Sequence, residues 1–187
     1  MDPDDVPLPP SGLAIPVTLP PALARLRRRH DRAASAGAQP HVTVLYPFIP
    51  CVSLSPAIRD ELAVVAGSIE PFTVRFAAVR RFEGVVWIEP EPAEPFLTLT
   101  AAVVARWPDY PPYGGLFDTV IPHLTIAESD VAPLAEIEAE AARALPFSAP
   151  VGRLELWCQD HAGGWRPRWQ WPLGAARGDG AVQPRSR

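Results

Sequence analysis

Pro40-His41-Val42-Thr43-Val44 and Pro122-His123-Leu124-Thr125-Ile126 are one short strand pattern written twice. Side chains alternate faces along a strand, so His41 and Thr43 point one way while Val42 and Val44 point the other. The same holds for His123 and Thr125 against Leu124 and Ile126. Each stretch therefore offers an imidazole and a hydroxyl on one face and an apolar anchor on the other. A single His-x-Thr is common in half-buried strands, where the histidine merely satisfies a hydrogen bond. Two copies in a chain with 4 histidines constrain the fold far more.

The order of elements around the two copies also repeats. An apolar strand over residues 12–19 leads into a helix opened by Pro20-Pro21, with Leu23 and Leu26 on its apolar side. Arg25, Arg27, Arg28, Arg29 and Arg32 read as a solvated face, with a phosphate-steering rim as the other use. The first His strand, 41–48, precedes a helix capped by Ser55-Pro56 that carries Ile58, Leu62, Val65 and Ile69. A strand from Phe72 then turns near Glu83-Gly84 into Val85–Glu89. Next come a helix over 95–107, a proline- and glycine-rich connection over 109–122, the second His strand, and a helix capped by Ser129 or Asp130 and ended by Pro146. Strands over 151–157 and 165–173 meet across Gly163-Gly164.

Strand, helix, His strand, helix, strand, strand thus occurs twice. The pattern predicts an α+β, bilobed and duplicated fold: two antiparallel sheets facing a central groove, with helices outside. Its domain spans 12–173, with lobes over about 12–84 and 85–173, between a disordered leader, 1–11, and a disordered tail, 174–187.

Composition narrows the function classes. A chain of 187 residues, 48% hydrophobic, can bury one good core. A net charge of -4 argues against a surface that coats nucleic acid, so a phosphate-bearing partner should be small or held locally. All 17 basic residues are arginine, which removes lysine chemistry. Cys51 and Cys158 form no metal or redox spacing and read as buried thiols in a reducing cytoplasm. The acidic, proline-rich start is unlike a secretory signal, and no run reaches membrane-spanning length. A cytoplasmic monomer is expected, with no membrane contact and no obligate protein partner.

Two facing imidazoles can drive in-line displacement at phosphorus without a metal. One takes a proton from the attacking oxygen and the other gives one to the leaving oxygen. Hydroxyls two residues along can donate to the non-bridging oxygens where charge gathers. Neither motif supplies a carboxylate or thiol at metal-ligand spacing, so no metal and no cofactor are expected.

The paired motifs resemble the two-histidine (2H) phosphoesterase superfamily. More closely, His41-Val-Thr-Val-Leu-Tyr-Pro-Phe48 and the segment Trp107-Pro-Asp-Tyr-Pro-Pro-Tyr-Gly-Gly115 ahead of the second motif look like the 2′-5′ RNA ligase family. The resemblance covers about residues 12–173. It implies hydrolysis of a 2′,3′-cyclic phosphate or related cyclic nucleotide phosphodiester, or ligation of RNA ends to a 2′-5′ linkage. It implies His41 and His123 as the acid-base pair and Thr43 and Thr125 as phosphate binders. A binding module that holds a nucleotide or an RNA end without chemistry is the competing class.

Tyr46 and Tyr113 are candidate substrate-lining residues. Tyr46 falls opposite His41 in a regular strand, where it serves core or hinge as readily as groove. Tyr113, beside Gly114-Gly115, serves as loop punctuation or covers a base or ribose. Trp165, Trp169 and Trp171 read as one core-facing side of the last strand, and His30 and His161 as exposed bystanders.

Overall fold

The computed structural model describes residues 8–130 and 132–174. Most of the expected disordered leader and tail lies outside the described residues. The leader's inner end is ordered: Ser11 is fully buried and opens the first strand, its Oγ donating to Ile49 O at 2.6 Å.

The elements run β1 (Ser11–Pro16), α1 (Pro21–His30), α2 (Arg32–Ser35), β2 (His41–Phe48), α3 (Pro56–Gly67), β3 (Phe72–Phe82), β4 (Val85–Glu91), α4 (Glu94–Arg106), β5 (Leu124–Glu128), α5 (Leu134–Ala142), β6 (Phe147–Val151), β7 (Arg153–Gln159) and β8 (Trp165–Pro172). Ser55 caps α3 as its position suggests, accepting from Ile58 N at 3.4 Å. Neither Ser129 nor Asp130 caps α5. That helix starts four to five residues later, behind Pro133, while Ser129 Oγ accepts from Ala132 N in the preceding turn. Strand β6 begins directly after Pro146, ahead of the strand that the sequence pattern places at 151.

All eight strands form one antiparallel sheet, in the order β6-β3-β4-β5-β2-β1-β7-β8. This corrects the expected pair of sheets, although the α+β class stands. The two His strands, β2 and β5, lie side by side at the centre and are joined by one registered pair, Val42 with Leu124. Strand β3 crosses to pair with β4 and β6, while β7 returns to β1. Each half of the sheet thereby contains strands from both repeats, and the hydrogen bonding runs on without a break into two sheets.

One face of this sheet is apolar and carries the helices. Leu13, Ile15, Val42, Val44, Leu124 and Ile126 pack there with Leu62 and Val65 of α3, Phe96, Leu99 and Val103 of α4, Leu23 and Leu26 of α1, and Ile137 of α5. Helices α3 and α4 lie over β8 and β2, and α1 and α5 over β3, β4 and β5. The opposite face, free of these four helices, holds the His and Thr side chains.

Arg27 departs from the solvated-face reading of its helix. It is 4% exposed, its Nη2 lies 2.6 Å from Asp31 Oδ2, and its Nη1 donates to Ala38 O at 2.8 Å. Asp31 also caps α2, accepting from Ala33 N. A signal was present: Arg27 lies four residues after Leu23, on the apolar stripe, with Asp31 four residues further on. The pair ties α1 to the segment that enters β2.

Cys51 and Cys158 form a disulfide, with Cα atoms 5.8 Å apart and a sequence separation of 107. This overturns the reading of two free thiols, and with it the support they lent to a reducing compartment. Ser11 pairs with Phe48 on one side and Cys158 on the other, so β1 brings the end of β2 and the end of β7 together. No spacing in the sequence encodes that neighbourhood.

Two stability outcomes follow. Reducing the disulfide, or replacing both cysteines with serine, should lower unfolding stability by about 2 to 4 kcal/mol, because so long a loop is closed; paired denaturant titrations with and without reductant check this. Asp31→Ala should cost about 3 kcal/mol by stranding a buried guanidinium, whereas Arg25→Ala on the exposed side should change little.

Candidate active site

The sequence Pro-His-x-Thr places each imidazole by the same local device. Proline disfavours the helical region for the residue before it, and the carbonyls of Gln39 and Ile121 turn toward the histidines that follow. His41 Nδ1 lies 2.7 Å from Gln39 O, and His123 Nδ1 lies 2.8 Å from Ile121 O. A carbonyl only accepts, so Nδ1 carries the proton in both rings and Nε2 is the working nitrogen. Neither Nε2 bonds to another side chain among the described residues.

The register around Val42 and Leu124 arranges the four groups. Continued one residue each way along antiparallel strands, it sets His41 beside Thr125 and Thr43 beside His123, with directly opposed Cβ atoms about 4.5–5.5 Å apart. All four side chains are half-buried, and both threonine hydroxyls lack a side-chain partner among the described residues.

Aromatic rings brace both imidazoles. Trp157 meets His41 edge-on at 4.7 Å, and its Nε1 donates to the buried Glu155 Oε2 at 2.7 Å. His123 stands at 90° to Phe82, 5.3 Å away, and 5.9 Å from Trp87, which stacks on Phe82. Trp87 is registered opposite Thr125, on the same face.

Each His strand also carries a β-bulge at the same motif position. Along β1 the register steps from Leu13↔Leu45 to Ala14↔Thr43, leaving Val44 as the extra residue. Along β4 it steps from Val86↔Ala127 to Trp87↔Thr125, leaving Ile126 as the extra residue. A bulge shifts the alternation by one, so Val44-Leu45 and Ile126-Ala127 both turn inward. The buried Thr100 Oγ1 donates to Val44 O at 2.7 Å, which satisfies the displaced carbonyl.

Past each bulge the next residue returns to the His/Thr face, and this brings Tyr46 round to it. Regular alternation would put Tyr46 opposite His41. The equivalent residue in the second strand is Glu128, which sequence reading missed because the shift that exposes it is a property of strand pairing.

A cavity of about 230 Å³ opens beside this constellation. His41, Thr43, Tyr46, Tyr113, Trp157 and Trp165 line it, with Glu128 and a floor that includes Gly12, Ala14, Ala33 and Ala38. His123 and Thr125 adjoin on the β4 side of the seam and are not part of its lining. A Cβ on Gly12 would come within 3.3 Å of the Tyr46 ring, so glycine here gives that ring its room. Tyr113 holds φ 54°, a left-handed backbone that a bulky residue rarely adopts. It stands in the cavity wall, at the head of a turn in which Gly114 and Gly115 also hold positive φ.

Trp165 also belongs to this wall, 5.7 Å from Tyr46, whereas Trp171 is buried in the core and Trp169 packs against it. His30 is half-buried and His161 exposed, both away from the cavity lining. No group of three or more His, Cys, Asp or Glu side chains among the described residues is placed to hold a metal ion. None of the described helices is long and apolar enough to cross a membrane.

The two histidines are electrostatically unlike. Burial lowers His41 to about 4, and the positive charges of Arg27 and His123 add to it against the opposing bond to Gln39. Burial also lowers His123, opposed by its bond to Ile121, but no arginine acts on it.

An antiparallel sheet with two histidine-threonine strands paired at its centre defines the class of two-histidine phosphoesterases. The family model of the 2′-5′ RNA ligase superfamily matches residues 15–163, and the chain belongs to that superfamily. Membership supports phosphoesterase- or ligase-type chemistry. Among solved structures, TT0787 of Thermus thermophilus is 20% identical with a TM-score of 0.60, over 88% of this chain and 98% of that one. E. coli LigT complexed with NADP+ is 19% identical with a TM-score of 0.52, over 90% and 99% of the two chains. E. coli LigT complexed with 3′-AMP is 20% identical, also at 0.52, over 89% and 99%. These likenesses concern the fold. No curated protein sequence matches the chain.

The depressed His41 has a measurable consequence. From its ordinary value near 6.5 down to about 4, the unfolded chain binds more protons at this site than the folded chain does. Its contribution is therefore fully present above about pH 6.5 and is lost as pH falls toward 4. His41→Gln should shrink the stability difference between pH 7 and pH 4.5 by about 2 to 3 kcal/mol, read from urea titrations at both values.

Proposed function

We propose that this protein hydrolyses 2′,3′-cyclic phosphates or related cyclic nucleotide phosphodiesters by two-histidine acid-base catalysis. The carrying observation is the matched pair of imidazoles, each with Nδ1 bonded to the carbonyl two residues before it and, among the described residues, no side-chain partner at Nε2, set beside two threonine hydroxyls that also have no side-chain partner there. His41, neutral near pH 7, is the base: its Nε2 takes a proton from water as that oxygen bonds to phosphorus. The bond from phosphorus to one ribose oxygen breaks on the opposite side, and His123 Nε2–H gives that oxygen its proton. The product is a phosphomonoester with a free ribose hydroxyl, and the two histidines have exchanged protonation states.

His123 must enter protonated although burial lowers it. The bound phosphate anion raises it back, since an opposite charge within hydrogen-bonding reach favours the charged form. Thr43 and Thr125 donate to the non-bridging oxygens as charge gathers there. Tyr46 and Tyr113 line the nucleoside side of the site. Ligation of RNA ends is the same displacement with a 5′-hydroxyl in place of water: the 5′ oxygen bonds to phosphorus, the bond to the ribose 3′ oxygen breaks and that oxygen takes the proton, leaving a 2′-5′ phosphodiester. The small cavity and the net charge of -4 favour a mononucleotide or a short end over a long strand. Complexes of LigT with NADP+ and 3′-AMP support a nucleotide as the ligand class. We further propose that one chain suffices, without an obligate protein partner and without a membrane.

Turnover of 2′,3′-cyclic nucleotides, followed by phosphorus NMR so that the product isomer is read directly, tests this. Activity should persist in chelator, follow a bell-shaped pH profile, and fall by about two to four powers of ten in His41→Ala and in His123→Ala. Full activity in either variant would end the two-histidine mechanism, and ligand-induced stabilisation with no product would favour a binding module.

A further inference from the structure

We propose that Glu128 makes the cavity beside His41 a subsite selective for a guanine base. This rests on the nucleotide reading above and goes beyond it by naming the base and the residue that chooses it.

Three observations carry the inference. The cavity, at about 230 Å³, falls below the roughly 300 Å³ at which pockets for drug-sized ligands begin, so it suits one ring system and not a run of nucleotides. Its walls are aromatic: Trp157, Trp165, Tyr46 and Tyr113 offer stacking faces to a flat heterocycle, over a floor of glycine and alanine that keeps the slot open. Glu128 is the one carboxylate in that lining among the described residues, and no arginine lines it.

Glu128 is available for a ligand. The Arg32 guanidinium, close enough to feel the Glu128 charge, is bonded to Asp130 at 2.6 Å, and the Glu128 carboxylate forms no salt bridge or side-chain hydrogen bond of its own among the described residues. The bulge at Ile126 turns it toward the cavity, as the bulge at Val44 turns Tyr46.

An ionised carboxylate only accepts hydrogen bonds, and its two oxygens fit two parallel donors. The Watson–Crick edge of guanine presents such a pair, N1–H beside the N2 amino group. Adenine and cytosine each offer one amino group next to an acceptor nitrogen, and uracil offers one imino N–H between two carbonyl oxygens. Those acceptors would face the carboxylate and be repelled. Guanine is therefore the base that satisfies Glu128 without a clash, and a good bidentate contact on a partly solvated carboxylate corresponds to about tenfold discrimination.

The experiment has two readouts. Steady-state kcat/KM is measured for the 2′,3′-cyclic phosphates of guanosine, adenosine, cytidine and uridine with the native protein and with Glu128→Gln. Binding of the four nucleoside 3′-monophosphates is measured by quenching of tryptophan fluorescence. The native protein should favour guanine by about tenfold in both, and Glu128→Gln should bring the guanine-to-uracil ratio toward one. Equal ratios in the native protein, or a guanine preference that survives Glu128→Gln, would overturn the subsite. Guanine-selective, Glu128-dependent binding with no turnover of any cyclic phosphate would support the subsite while removing the hydrolase reading. Turnover without base preference would do the opposite.

Discussion

The pairing of Val42 with Leu124 is the contact on which the rest of this structure depends. It is the single registered pair between β2 and β5, and it joins the two halves of the eight-stranded sheet. Because the strands are antiparallel, that one pair sets each histidine beside the other strand's threonine. A slip of one residue would send the slipping strand's histidine and threonine to the apolar face, away from the other strand's pair. The core opposes such a slip, since Val42, Val44, Leu124 and Ile126 are all buried beneath the helices. Hydrophobic burial on one face therefore holds the polar constellation on the other.

The two halves are alike in backbone and unlike in electrostatics. Proline places both imidazoles by the same carbonyl bond, and both strands bulge after the threonine. Burial lowers both rings, and at His41 the positive charges of Arg27, itself paired with Asp31, and of His123 act in the same direction. The cavity follows the same division: it opens beside His41 and Thr43, where β1 contributes Gly12 and Ala14 and the opposite wall is tryptophan.

Much of the local structure was legible because short-range chemistry sets it. Pro20-Pro21 opens α1, Ser55 caps α3, and β2 spans 41–48 as its alternation indicates. What escaped was decided by partners distant in the chain. The apparent solvated arginine is buried because α1 packs on β5 and its neighbour Asp31 turns inward with it. The cysteines join because β1 lies between β2 and β7. The single sheet replaces two because β2 pairs with β5 and so joins the halves, a choice of pairing to which the order of elements is blind.

By itself, the sequence determined the α+β class, the two His-x-Thr strands and the side chains each would present, since strand alternation and the restriction before proline act within a few residues. Tertiary structure alone decided that the strands meet, in which register, and that Tyr46 and Glu128 join their face. Those outcomes depend on which strands pair and where an extra residue bulges, and pairing is settled by burial of a shared core over separations as long as that between Val42 and Leu124.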